Sequence, residues 1–316
     1  MITSLGSATR RDGRTAELVL MTTPEPADVP GLVDLLGHKG DSWREHVTRA
    51  VAGELEGLET RFYLALDGGR AVSNIMLVEF GGVGILGHVF TRPEHRRQGL
   101  CEALFGVLKP EFVARGGRRL LLHTGYDSAP YHIYLRQGWV DVTAGSGFMQ
   151  WQPGAPTQLA GPWHVGPYRW GHWPALAEVF ADGGEHGLQA RGLGMFGPDC
   201  FEGPGLELKV AAERGECEAW VVDDASRRAA ALAVLSADRE WPGWRNLDLV
   251  CAPAAAETLG VLLAEIEWGD GPVGCWLPAA DAVRAKALAS AGWTREARLR
   301  GLLADGGSVD VWRREG

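Results

Sequence analysis

Residues 88–104 read HVFTRPEHRRQGLCEAL, and this stretch decides the fold. A β-rich run ends at Thr91, Pro93 prevents its continuation, and a turn with two arginines leads through Gly99 into a helix with apolar periodicity. The first N–H groups of a helix have no partner within the helix, and the helix dipole favours negative charge beside them. A strand, a tight turn and a helix N-terminus in this order are therefore typical of a pyrophosphate-binding site.

The turn also carries side chains that suit such a site. Gly99 has no Cβ, so an anion can approach the backbone closely there. Arg96 and Arg97 can donate charge-assisted hydrogen bonds to phosphate oxygens. The alternative is an ordinary strand-turn-helix junction with solvated arginines, because an isolated Arg-x-x-Gly is a weak signal.

The sequence around this turn predicts a mixed α/β domain. Apolar and β-branched runs are separated by Gly-rich turns at Asp67-Gly68-Gly69 and Gly81-Gly82. Apolar residues with helical spacing alternate with these runs. We expect strands at 16–21, 61–66, 71–80, 83–91, 119–124, 139–142 and 147–152, and helices at 26–36, 42–58, 99–114 and 128–137.

A second α/β half follows a segment rich in Pro and Gly at 153–165. Both halves end in the order strand, helix, strand, helix, Gly-Trp, strand, strand, and the two Gly-Trp pairs are Gly138-Trp139 and Gly292-Trp293. We interpret this as a diverged tandem duplication with domains at 1–155 and 160–316. The alternative is two unrelated α/β domains that share an element order.

The composition and net charge of the chain argue against several classes of function. The chain of 316 residues has a formal net charge of −9 and five cysteines, none of them in a CxxC. Nucleic-acid binding needs clustered Lys and Arg, which are missing, whereas an acidic chain can attract a cationic amine. A metal or redox motif is not expected, and reduced thiols fit a cytoplasmic protein. No apolar stretch reaches the about 18–20 residues that span a bilayer, so no membrane segment is expected.

The turn resembles the acyl-CoA-binding signature of the GNAT superfamily of N-acetyltransferases, Arg/Gln-x-x-Gly-x-Gly/Ala. The matching residues are Arg96, Arg97, Gln98, Gly99, Leu100 and Cys101. A second family pattern is an Asn, a Tyr seven residues later, and then a Gly-aromatic pair. It matches Asp127, Tyr134, Gly138 and Trp139, with Asp127 in place of Asn.

The resemblance implies the fold and the cofactor site. The expected class is α/β (α+β), with two tandem GNAT-like domains, each a mixed, mostly antiparallel sheet flanked by helices. Strands 83–91 and 119–124 would run parallel and splay apart, and acetyl-CoA would lie in that gap. The residues expected to bind it are Val89, Phe90, Thr91, Arg96, Arg97, Gln98, Gly99, Leu100, Cys101 and Asp127.

The resemblance also implies direct attack of an amine on the thioester. Tyr134 would protonate the departing CoA thiolate, unless it is only a core tyrosine. A base must take the proton of the amine. Glu79, His123 and His88 remain open for that role, Glu79 and His123 because both are expected near the splay.

The second half lacks the residues expected to bind acetyl-CoA and to protonate the thiolate. Aligned on the Gly-Trp pair and on the proline of the turn, it has Ala256, Leu259 and Leu288 in place of the arginine, the glycine and the tyrosine. We expect a degenerate GNAT-like domain that shapes the substrate cleft. Its tryptophans either line a pocket for an aromatic substrate or belong to the core.

These inferences predict a cytoplasmic, acetyl-CoA-dependent N-acetyltransferase that acts on a small-molecule primary amine, with no nucleic-acid or membrane partner. An acyl-CoA-binding sensor and a protein or peptide N-acetyltransferase are the alternatives, and a homodimer is also open.

Overall fold

The computed structural model describes residues 1–24, 29–32, 35, 40–155, 158–183 and 188–315. Most of the helix expected at 26–36 lies outside these residues. Contacts divide the chain into two compact units, the first comprising Met1–Val140 and Met149–Ala155, and the second Asp141–Phe148 and Pro156–Gly316. Among the described residues, no helix combines the length and the apolar character needed to cross a membrane.

An eight-stranded sheet forms the centre of the first unit. Its strands are β1 (Ile2–Thr9), β2 (Thr15–Thr22), β3 (Glu59–Asp67), β4 (Arg70–Phe80), β5 (Val83–Thr91), β6 (Arg119–His123), β7 (Val140–Asp141) and β8 (Phe148–Trp151). They lie in the order β1-β2-β3-β4-β5-β6-β8-β7. The pairings from β1 to β5 are antiparallel, and β5 pairs with β6 in parallel.

Three described helices belong to this unit: α1 (Asp41–Ala52), α2 (Leu100–Ala114) and α3 (Ala129–Arg136). The helix expected at 42–58 is shorter than predicted, because Gly53 adopts a left-handed conformation with φ 77° and ends α1. Apolar residues of α2 and α3 pack on one face of the sheet and form a continuous core. That core includes Leu104, Phe105 and Leu108 of α2, all fully buried.

The second unit contains a seven-stranded sheet. Its strands are β9 (Trp163–Pro167), β12 (Cys217–Asp224), β13 (Ala229–Ala237), β14 (Arg245–Cys251), β15 (Val273–Pro278), β16 (Thr294–Leu299) and β17 (Val309–Arg314), in the order β16-β17-β15-β14-β13-β12-β9. A separate antiparallel pair consists of β10 (Leu188–Ala190) and β11 (Met195–Phe196). The described helices are α4 (His172–Ala181), α5 (Glu202–Glu213), α6 (Thr258–Glu265) and α7 (Ala282–Ser290). The predicted α/β class with mixed sheets is thus confirmed.

Candidate functional site

The parallel strands of the first unit separate along their length, as predicted. They pair at Val83 with Arg119, at Gly84 with Leu120 and at Ile85 with Leu121. Beyond that point the register ends, although β5 continues to Thr91 and β6 to His123. The carboxyl end of β5 therefore borders an opening in the sheet, and Val89, Phe90 and Thr91 all lie on that part of the strand.

A β-bulge bends β5 at this opening. The register between β4 and β5 shifts at Asn74, which pairs with Phe90, and His88 has a φ of 50°. The buried amide Nδ2 of Asn74 donates a 2.9 Å hydrogen bond to the backbone oxygen of His88. The His88 ring packs edge-on against Trp43 of α1, with the ring centroids 4.7 Å apart. The bulge thus directs His88 towards α1, and Asn74 holds it in this conformation.

The predicted phosphate turn lies at the same end of β5. A short 3-10 turn at Pro93–His95 leads into it, and Arg97 and Gly99 both have positive φ values, 60° and 82°. Arg96 donates from Nε to the backbone oxygen of Thr91 at 3.0 Å, and its guanidinium lies 5.6 Å from the Phe90 ring centroid. Arg96 and Arg97 are both exposed, so both are accessible to an anion.

Helix α2 begins at Leu100 with Gly99 as its N-cap, and no side chain among the described residues caps it. Its first N–H groups therefore offer the donors that an anion needs. A Cβ at Gly99 would meet no atom within 4 Å. Glycine is required there for its backbone conformation and for access to the turn, and not for packing within the chain. The neighbouring Gln98 accepts a 3.1 Å hydrogen bond from the backbone N–H of Asp12.

Cys101 occupies the last small position of the signature. It is partly buried beside the core. Burial raises the pKa of its thiol to about 11. The side chain is consequently a protonated thiol near neutral pH, which is a poor nucleophile.

Tyr134 lies on α3 and is 7% exposed. Its ring meets Phe105 edge-on at 6.0 Å and Trp139 at 5.9 Å. Ser128 caps the helix, since its Oγ accepts a hydrogen bond from the N–H of Tyr131 at 3.3 Å. These contacts hold the tyrosine at the core side of α3, which follows the splayed end of β6.

Asp127 precedes this helix and adopts a left-handed conformation with φ 57°. Asn and Asp tolerate that region better than other residues, apart from Gly. Its Oδ1 lies 2.9 Å from Nε2 of His132, and both side chains are exposed. The substitution of Asp for the family Asn thus keeps the backbone conformation.

Two of the three predicted bases, His123 and Glu79, lie at different ends of the sheet. His123 is exposed at the end of β6, two residues beyond the last parallel pair, and is therefore beside the opening. Leu120 and Leu122 point into the core with α2 and α3, so strand alternation places His123 on the opposite face of the sheet.

Glu79 is not beside the opening, which corrects the expected position. It pairs with Gly84, at the closed end of β5, about 20 Å along the strand from Thr91. Its carboxylate accepts two hydrogen bonds from Arg115, at 2.8 and 2.6 Å, and lies 3.4 Å from Nε of Arg61. Glu79 is thus fully engaged in ion pairs at the far end of the sheet.

In the second unit, β14 and β15 repeat the arrangement of β5 and β6. They pair in parallel at three positions, ending at Leu247 with Cys275. Beyond that point the guanidinium of Arg284, on α7, donates to the backbone oxygen of Leu249 at 2.8 Å, and to those of Leu188 and Gln189 at 3.0 Å each. Strand β10 and a buried arginine therefore lie where the first unit has its opening.

Sequence reasoning overlooked Asn74 and Arg284. Asn74 stands within the apolar run AVSNIMLV at 71–78, and a polar residue inside such a run was the available signal for a bulge. Arg284 had no comparable signal, because its partners at 188, 189 and 249 are remote in sequence.

Residues 32–139 match the model of the acetyltransferase (GNAT) family. Similar solved structures include a ribosomal-protein-alanine N-acetyltransferase from Brucella melitensis, at 13% identity and a TM-score of 0.40 over 48% of this chain and 99% of that one. A putative acetyltransferase from Salmonella typhimurium, with its cofactor acetyl-CoA, has 10% identity and a TM-score of 0.39 over 49% and 94%. A variant of spermidine N-acetyltransferase from Vibrio cholerae has 10% identity and a TM-score of 0.37 over 48% and 92%. A search of curated protein sequences found no match.

Proposed function

Residues 32–139 belong to the GNAT acetyltransferase family, and from this we propose that the chain is an acetyl-CoA-dependent N-acetyltransferase for a small-molecule primary amine. The observation that carries the proposal is the coincidence of two features at one end of β5. The parallel pairing of β5 with β6 ends after Ile85, and the turn with Gly99 opens α2 at that same end. A pantetheine arm and a pyrophosphate need these two features side by side.

The residues present fit acetyl-CoA, which supplies the activated acyl group as a thioester. The uncapped N-terminus of α2 and the exposed Arg96 and Arg97 form a cradle for two phosphates. The part of β5 from Val89 to Thr91 borders the opening with its backbone polar groups, which can hold the amides of the pantetheine arm. An N–H group there is suited to polarise the thioester carbonyl and to stabilise negative charge on its oxygen.

Tyr134 is the proposed proton donor to the departing thiolate. It lies on the helix that follows β6, and the rings of Phe105 and Trp139 fix its orientation. A phenol hydroxyl is a competent acid for a thiolate, because the thiolate develops its charge only as the carbon–sulfur bond breaks. An acyl-CoA sensor would not need such a donor, which favours the enzyme over the sensor.

His123 is the proposed base for the amine. It is exposed beside the opening and, by strand alternation, on the face of the sheet opposite to α2 and α3, whereas Glu79 is ion-paired at the closed end. His88 faces Trp43 of α1, but it is only 6% exposed. A base must reach its proton directly or through one water, so exposure at the opening favours His123.

Direct transfer is favoured over an acyl-enzyme. The only cysteine of the signature is Cys101, and burial raises the pKa of its thiol to about 11. Since a thiolate and not a thiol attacks a thioester, Cys101 is a poor candidate for a covalent intermediate. The amine then attacks the thioester itself, and the proton passes to His123 while Tyr134 protonates the sulfur.

The second unit is proposed to be a degenerate copy of the first. Leaving out β1, the first sheet has the order β2-β3-β4-β5-β6-β8-β7, and the second has β9-β12-β13-β14-β15-β17-β16, so the strands correspond one to one. Arg284 and β10 lie along β14 where the counterpart of the cofactor would bind. This supports a tandem duplication in which only one copy kept its cofactor site.

The proposed function is tested by a screen of amines with acetyl-CoA, in which the release of free CoA thiol is followed. The acidic chain favours cationic acceptors, so polyamines and amino-acid amides form the first panel. Thiol release that depends on a small amine, and a mass gain of one acetyl group on that amine, is the expected result. Turnover only with peptides or proteins would point to the protein N-acetyltransferase instead, and no turnover with any acceptor would contradict the enzyme.

A further inference from the structure

The second unit contains a cavity of about 330 Å³ that has no part in the proposed acetyl transfer. Its lining includes Asp238, Trp241, Trp244, Gly274, Trp276, Glu296 and Arg313. All of them belong to the second unit. Gly274 and Trp276 alternate along β15 with the buried Val273, Cys275 and Leu277, so the cavity lies on one face of the sheet and the buried row on the other.

The indole rings of three tryptophans line this cavity. Trp241 and Trp276 stack nearly parallel, with centroids 5.6 Å apart and an interplanar angle of 15°. Trp241 nevertheless remains 45% exposed. Large aromatic side chains that stay exposed around a concavity are a usual sign of a binding site, and the volume falls at the lower end of the range for small-molecule pockets, about 300–1,000 Å³.

A glycine leaves the space between two of the rings open. A Cβ at Gly274 would lie 3.8 Å from Cε3 of Trp244 and 3.9 Å from Nε1 of Trp276. Both distances are ordinary van der Waals contacts, so a methyl group would fit without strain and would occupy this space. The floor of the cavity is therefore free only because residue 274 has no side chain.

The arginines beside the cavity are already engaged by carboxylates. Arg191 binds Asp238 at 2.9 Å and also pairs with Glu240, and Arg313 lies 3.4 Å from Glu296 and 3.1 Å from Glu315. The same arginines lie over the indoles: the guanidinium of Arg191 is 4.6 Å from the Trp276 centroid, and that of Arg313 is 5.3 Å from that of Trp244. A cationic ligand would therefore have to displace these arginines from the indoles, and both arginines are already ion-paired, which leaves neither of them free for an anionic ligand.

We propose that this cavity binds a small, uncharged aromatic ring, placed over Gly274 between Trp244 and Trp276. Stacking on indole faces and burial of the ring supply the attraction. Glu296 and Arg313 at the margin can hydrogen-bond a polar substituent of the ring. The proposal concerns the second unit alone and does not depend on acetyl transfer by the first.

The test uses the full chain and indole as the probe, with binding followed by ligand-observed NMR and calorimetry. We expect saturable binding to the wild-type chain. Gly274→Ala should weaken it by about tenfold or more, the scale of one misplaced methyl group in an apolar pocket. Gly203→Ala is the matched control, because a Cβ at Gly203 also meets no obstacle but lies in α5, outside the cavity.

Trp241→Leu serves as a second variant, since an exposed side chain can be replaced without unfolding the unit, and it should also weaken binding. Tetramethylammonium and methyl β-D-glucopyranoside test a cation and a sugar as ligands. The proposal is overturned if the wild-type chain does not bind indole saturably, or if folded Gly274→Ala and Trp241→Leu both bind it as well as wild type. Tighter binding of either of the other two probes than of indole would overturn it too.

Discussion

At the scale of single residues, Tyr134 allows the proposed catalytic role to be tested apart from packing, because its ring and its hydroxyl have different roles. Its ring contacts Phe105 and Trp139 in the core, and the proposal assigns the proton transfer to its hydroxyl alone. We therefore expect Tyr134→Phe to lower turnover by about 10²-fold, as for the loss of a general acid, while the affinity for acetyl-CoA stays nearly unchanged. Steady-state kinetics and calorimetry with acetyl-CoA measure the two quantities.

The matched control is Tyr131→Phe. Tyr131 lies three residues earlier on α3 and has a similar exposure, 8% against 7%. Loss of the Tyr131 hydroxyl should leave turnover within about threefold of wild type, as expected for a hydroxyl with no part in the chemistry. Equal effects of both substitutions would make Tyr134 a structural residue, provided that chemistry limits the rate.

We expect different effects from the substitution of His123 and from that of Glu79. His123→Gln should lower the turnover rate by about 10²-fold or more, because an amide cannot take the proton of the amine. Glu79→Gln should keep the turnover rate and lower the thermal midpoint, since it leaves Arg115 without its two-point carboxylate partner. An unchanged turnover rate in His123→Gln would eliminate His123 as the base, provided that chemistry limits the rate.

Substitution of Cys101 tests whether the acetyl group passes directly to the amine or is first attached to the protein. Burial raises the pKa of this thiol to about 11, so it stays protonated near neutral pH. Cys101→Ala restores a residue of the family pattern and should retain most of the turnover, with kinetics that require both substrates on the enzyme together. Loss of turnover together with an acetyl group trapped on Cys101 in the wild-type chain, seen by mass spectrometry, would establish an acyl-enzyme instead.

At the scale of elements, the strands that carry the site could be predicted closely. Strands expected at 71–80 and 83–91 are observed as Arg70–Phe80 and Val83–Thr91, because apolar runs between Gly turns determine their ends locally. β1 was missed, since it is an edge strand with mainly exposed residues and so lacks an apolar pattern. The contacts of Arg284 and the ion pairs of Glu79 were not predictable, because each depends on partners that only the tertiary structure brings together.

Helix α1 contains a buried histidine that should make it sensitive to acid. His46 is 1% exposed, and burial lowers its pKa from 6.5 to about 3. The folded state therefore holds the neutral ring, while the unfolded state takes up a proton below pH 6.5. Stability contributed by His46 is present above pH 6.5 and is lost as the pH falls towards 3, by up to about 1.4 kcal/mol per pH unit.

Hydrogen exchange of the α1 amides, corrected for intrinsic rates, measures this loss between about pH 7 and about pH 5. His46→Phe replaces the titrating ring with an apolar one, and its α1 protection should depend much less on pH. The same pH dependence in both chains would mean that other groups cause the acid sensitivity.

At the scale of the whole molecule, the two units share a strand order but differ at the proposed cofactor site. Gly138 and Gly292 have φ values of 78° and 83°, and the tryptophans after them donate to the backbone oxygens of Tyr134 and Leu288 at 3.1 and 3.0 Å. The local structure is thus the same at both Gly-Trp pairs, although Leu288 stands in the second unit where the first has the proposed acid Tyr134. The turns differ more, since the segment PAAAE at 253–257, which precedes α6, contains no glycine, and a buried arginine lies along β14.

This difference predicts one acetyl-CoA per chain. The first unit has the opening and the turn with Gly99, whereas β10 and Arg284 occupy the corresponding part of the second. Calorimetric titration of the full chain should give a stoichiometry of one. Gly99→Val should abolish that binding, because a β-branched residue resists the φ of 82° and its side chain blocks the phosphates.

Gly116→Val is the control that separates the effect of backbone strain from the effect of blocking the phosphate site. Gly116 has a φ of 84° and equally open surroundings, but it follows the far end of α2. Its substitution imposes the same backbone cost on the same unit and leaves the phosphate turn intact, so binding should persist with a stoichiometry of one. If Gly99→Val retained one equivalent of acetyl-CoA while wild type bound two, the second unit would be a working cofactor site. The contacts of Arg284 would then have to open for the ligand, and the Gly99 turn would account for only half of the binding.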